Sequence, residues 1–165
     1  MDDLLKKIEA YKNKKSADLS LEEDLSIGIM NLISLEEHFY FTAEKTKKEE
    51  YFKYVEQIRD IRKKMLAKMI PQNEGETWCI SKHLLASTMR LIEVGTKYQT
   101  MKEPQKAKEV FDDAYTLYNL FWAIRLKLID LSNMQNAVKE DGKDKKEEPW
   151  SLNDIVGKLV DCCRE

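Results

Sequence analysis

Glycine and proline are scarce, with five and three among 165 residues. A sheet-rich chain needs turn residues at short intervals, so this shortage excludes one and leaves long helices. Histidine occurs twice and cysteine three times, two of the cysteines adjacent at Cys162 and Cys163. Such a set makes no disulfide framework, which suits a reducing compartment. No apolar run approaches the roughly 20 residues of a membrane span. The opening MDDLLKK is acidic where a secretory signal would be basic. The expectation is a cytoplasmic protein with no membrane partner. The ending CCRE has a cysteine fourth from the end, but Arg164 and Glu165 do not suit a prenylation signal.

Neither sign of charge dominates: 28 Lys and Arg stand against 30 Asp and Glu, for a net −2. The two signs are interspersed, so no continuous basic stripe is offered to a phosphate backbone, and nucleic-acid binding is disfavoured. Catalytic signatures are missing too. There is no glycine-rich phosphate loop, no G-x-S-x-G elbow and no H-E-x-x-H. Acid pairs such as Glu56 with Asp60 and Glu109 with Asp113 are what so many acidic residues on helices produce by chance.

What the chain does have is helical periodicity. Ser20 with Glu23 and Thr46 with Glu49 read as capping boxes, opening helices over about 21–45 and from 49 to about 70. PQNEGE, residues 71–76, is a turn. A third helix is predicted over 77–101, and Pro104 suits the first turn of a fourth that reaches about 131. Short links between long helices make the predicted fold all-α, an up-down antiparallel four-helix bundle over residues 19–136. Residues 1–18 form an N-terminal amphipathic segment and 137–149 a charged linker. Residues 150–165 carry an apolar stripe of Leu152, Ile155, Val156, Leu159 and Cys163, read as a C-terminal amphipathic helix on a tether.

Two groups of side chains could carry function. Cys79 and His83 are four apart, the spacing at which one helix face can hold a metal. Helix geometry, at about 100° per residue, places them with Arg90 and Glu93 opposite the core stripe. That face is expected to meet solvent. Structural zinc needs four ligands, and Glu93 lies too far along the helix to be a third. Neither histidine has the Glu-x-x-His pattern of di-iron bundles. No cofactor is predicted, and a metal at Cys79 and His83 is disfavoured.

The second group lies in the predicted core. Glu36, Arg62 and Arg125 fall within the apolar stripes of three different helices. An isolated buried charge costs several kcal/mol, so each needs a partner. Tyr40 and Tyr118 are within reach as hydroxyl intermediates. One reading is a structural Glu–Arg network; the other is a pocket in which two arginines face a small anionic ligand.

The leading functional expectation is a non-enzymatic module acting through protein–protein contacts, as a homo-oligomer or through a helical partner. The terminal segments support it, as does a second apolar side on the fourth helix, Tyr115, Trp122 and Leu126. A small-anion binding protein or enzyme is the alternative, and a metal-binding bundle comes after it.

Overall fold

A computed structural model describes Lys6 and residues 19–71 and 75–128. The N-terminal segment, the charged linker and the C-terminal amphipathic stretch lie outside the described residues, apart from Lys6. The described chain is all-helical: four helices and, among the described residues, no strand. They are α1 (Ser20–Thr46), α2 (Glu50–Ala67), α3 (Gly75–Thr100) and α4 (Pro104–Arg125). Among them no helix is long and apolar enough to cross a membrane.

The helix ends differ from the capping-box reading. Ser20 and Thr46 both lie inside α1, as its first and last residues. The residues that precede α1 and α2, Leu19 and Glu49, make no side-chain cap. What closes α1 is Lys47, in the left-handed region at φ 56°, its N–H bonded to the Ala43 carbonyl. Lys102 after α3 and Lys127 after α4 adopt the same conformation, with φ of 58° and 55°. Glycine usually takes this position because it lacks a Cβ. In a glycine-poor chain lysine takes it, where its charge suits the negative end of the helix dipole. Pro104 begins α4 as expected. Beside it Glu103 hydrogen-bonds Lys106 and raises the lysine's pKa above its ordinary value.

Helix α1 packs along α2 and less extensively along α3, and α3 packs along α4. The α3–α4 contact is close at Gly95, where an added Cβ would overlap the Phe111 ring. The main core gathers at one end of the molecule. It joins Ile29 of α1, Leu66 of α2, Trp78 and Leu85 of α3, and Phe121 and Ile124 of α4. Met69 and Ile70, just after α2, close the same cluster before the chain turns into α3.

Candidate functional site

Where α1, α2 and α3 come together they leave a cleft of about 350 Å³. Helix α1 lines it with Ile33, Glu36, Glu37 and Tyr40. Val55, Arg59 and Arg62 come from α2, and Lys82, His83 and Ala86 from α3. The spacings explain the lining: 33, 36, 37 and 40 form one face of a helix, as do 55, 59 and 62. Ile33, Val55 and Ala86 are the apolar part of the lining, and its most buried member is Arg62.

Glu36 is the electrostatic centre of the cleft. Its two carboxylate oxygens accept separate bonds, one from Arg59 Nε at 2.6 Å and one from Arg62 Nε at 2.9 Å. Arg62 is 2% exposed, and Glu36 is largely covered with 14% of its side chain exposed. A buried guanidinium is tolerable only with a close carboxylate, and the bond spans α1 and α2, so it also fixes their register. Arg59 is half-exposed, and its terminal nitrogens hold no hydrogen bond among the described residues. Beside the cleft, Arg90 of α3 bonds Glu37 of α1 and Glu93 of its own helix, each at 2.6 Å.

The structure merges parts of the two predicted groups and breaks up the rest. Glu36, Arg62, Tyr40 and His83 line one cleft. Arg125 and Tyr118 lie elsewhere, near the start of α1. Arg125 Nη2 bonds Glu22 at 3.0 Å, and the Tyr118 hydroxyl shares a 2.7 Å hydrogen bond with Ser26. Glu22 and Glu36 are 14 positions apart, about 21 Å along α1, so Arg62 and Arg125 do not face a common anion. Near Arg125 the polar packing is incomplete: its Nε and Glu22 Oε2 are buried without a hydrogen bond among the described residues, as is Ser81 Oγ.

The expected solvent face of α3 is covered in part: His83, Arg90 and Lys97 are exposed, and Cys79 is not. Cys79 is 2% exposed and belongs to the main core, and His83 and Ala86 line the cleft. Helix α3 packs along α4 by its apolar stripe and, less extensively, along α1, and the end of the wedge that holds Cys79 belongs to the main core. A single-stripe reading assigns Cys79 to water with the rest of the wedge. His83 itself is exposed, as is His38 on α1. Among the described residues no three His, Cys, Asp or Glu side chains are grouped to hold a metal ion.

Sequence reasoning missed Arg59. It sits outside the α2 apolar stripe, yet three residues before Arg62 it is only about 60° round the helix. That spacing was the available signal, since two arginines on neighbouring rows can share one facing carboxylate.

No family model, curated protein or solved structure matches this chain.

Proposed function

We propose that this chain is a non-enzymatic helical module that works through protein–protein contacts, with its four helices arranged as an up-down antiparallel bundle. The ion pairs from α1 to α2, α3 and α4 support that arrangement. The observation that carries the functional reading is aromatic. The α1–α2 turn gathers Phe39, Tyr40, Phe41, Tyr51, Phe52 and Tyr54 within 16 positions of sequence. Four of them stay well exposed: Tyr40 47%, Phe41 48%, Phe52 39% and Tyr54 47%. Aromatic rings bury large areas when covered, and they are enriched where proteins meet. A lone exposed aromatic means little, but four near one turn offer a partner several apolar anchors.

Tyr115, another expected contact, is 67% exposed. Trp122 is half-buried against the Tyr118 and Phe121 rings, so it serves the core first. The small-anion reading has less support. Glu36 already accepts from both cleft arginines, and Glu22 takes Arg125.

The simplest partner is a second copy, which sedimentation velocity over a concentration series detects. A reversible dimer is expected. Phe41→Lys with Tyr54→Lys should weaken it at least about tenfold, or 1.4 kcal/mol, with the helical circular dichroism unchanged. A wild-type protein that stays monomeric at every concentration would sink self-association.

A further inference from the structure

We infer that a second copy of this chain docks antiparallel along the outer face of α1, with the two-fold axis at Asn31. This interface presupposes the self-association proposed above and says where the two copies meet.

The face is defined by the charges that α1 leaves out. The chain is 35% charged, yet between Asp24 and Glu44 the only charged residues are Glu36 and Glu37. Neighbouring helices hold both, Glu36 through Arg59 and Arg62 and Glu37 through Arg90. On the side of α1 away from these bonds, Asp24, Ile27, Asn31, Leu35 and His38 fall within a stripe roughly 80° wide. All five are exposed, Ile27 at 46% and Leu35 at 41%. A helix side turned to water is ordinarily charged, as α2 is with exposed Lys53, Glu56 and Asp60.

The order of residues in this stripe names its occupant. The steps from 24 to 27, 31, 35 and 38 are three, four, four and three, the same in either direction. Such a seam can pair with a reversed copy of itself, as a two-fold contact requires. Laid antiparallel about Asn31, Ile27 of each copy shares a layer with Leu35 of the other. Asp24 meets His38 of the second copy, whose ring N–H can donate to the carboxylate. Asn31 meets Asn31 at the axis, and one polar residue in a seam fixes register and orientation at a cost in strength.

Other pairings of the same stripe lose this match. Sliding one helix by three residues sets Asp24 against Leu35 and Leu21 against His38. A parallel pair sets Asp24 against Asp24, and like charges repel. In the antiparallel register Leu21 and Phe41, 78% and 48% exposed, stand at the margins of the stripe. The seam therefore runs into the aromatic turn. Its large apolar layers are only the two symmetric Ile27–Leu35 pairs, which suits a reversible dimer.

Cysteine cross-linking tests the placement on the full chain, with Cys162→Ser and Cys163→Ser removing two thiols; Cys79 is buried. Asn31→Cys should form a disulfide dimer with itself. Asp24→Cys and His38→Cys should not do so alone, because each would lie about 21 Å along the seam from its own copy. An equal mixture of those two variants should cross-link at least about tenfold faster than either alone. Sedimentation velocity supplies a second readout. Ile27→Lys should weaken the dimer at least about tenfold with helical circular dichroism unchanged, and adding Leu35→Glu should restore it severalfold.

A wild-type dimer indifferent to Ile27→Lys overturns this interface and leaves self-association standing, with the contact elsewhere. Asp24→Cys that cross-links to itself as readily as the mixture does also overturns it, because the pair is then parallel. A protein monomeric at every concentration sinks both ideas. If Ile27→Lys then lowers the melting temperature, a segment of the same chain covers the face instead.

Discussion

Removing the Glu36 carboxylate and removing the Arg59 guanidinium break bonds to the same centre, yet their costs should differ severalfold. Arg59 is 49% exposed at its side chain, and ion pairs at such positions contribute at most about 1 kcal/mol. Arg62 is 2% exposed, so without Glu36 it loses the carboxylate that compensates its burial. Breaking a buried pair from one side costs roughly 3–5 kcal/mol. Arg62 makes a further interaction beyond Glu36, which argues for the lower end of that range. Glu36→Ala should therefore destabilise by about 3 kcal/mol and Arg59→Ala by under about 1 kcal/mol. Urea denaturation midpoints at constant slope measure both. Equal losses would mean that Arg62 is held by other groups and that Glu36 is only a surface partner.

At the scale of elements, two helix-interior glycines distinguish a free face from a close approach. Around Gly28 of α1 an added Cβ meets nothing within 4 Å. Alanine there gains helix propensity alone, so Gly28→Ala should stabilise by about 0.5–1 kcal/mol. At Gly95 the same methyl would run into the Phe111 ring of α4. Overpacking costs about 1–3 kcal/mol and exceeds the propensity gain. Gly95→Ala should lower the melting temperature where Gly28→Ala raises it. A rise for both would show that Phe111 swings aside freely. The four helices were legible from period and turn residues, because an apolar stripe and the prolines at 71 and 104 mark them directly. Their ends were less so, since left-handed Lys47 and Lys102 do with backbone geometry what glycine usually signals. The site was legible in part: Glu36 and Arg62 stood out as charges inside apolar stripes. Its other wall was not, because Lys82, His83 and Ala86 of α3 face α1 and α2 only once the helices are placed side by side. Which helices neighbour which is a tertiary fact that no single-helix pattern contains.

At the scale of the molecule, burial among the described residues is uneven, and this unevenness makes its own forecast. The end that holds the link between α2 and α3 buries Leu66, Met69, Ile70, Trp78, Leu85 and Phe121. At the end that holds the α1–α2 and α3–α4 turns, the buried positions include Ala43, Val55, Gly95, Ala107 and Ala114. A large apolar side chain contributes about 1.5–3 kcal/mol on burial and a single methyl well under half of that. The turn end should therefore open locally without the rest unfolding. Amide exchange followed by NMR in dilute protein should be at least about tenfold faster over residues 39–54 than over 78–88. The exposed aromatics fall at this same end, so its missing burial is what a partner surface would supply. Raising the protein concentration should slow exchange over 39–54 and leave 78–88 unchanged, because covering the turn adds nothing to the core at the other end. Uniform slowing along the chain would instead place the contact near the core. Equal rates for both stretches in dilute protein would mean that the turn end is stabilised by something other than buried apolar area.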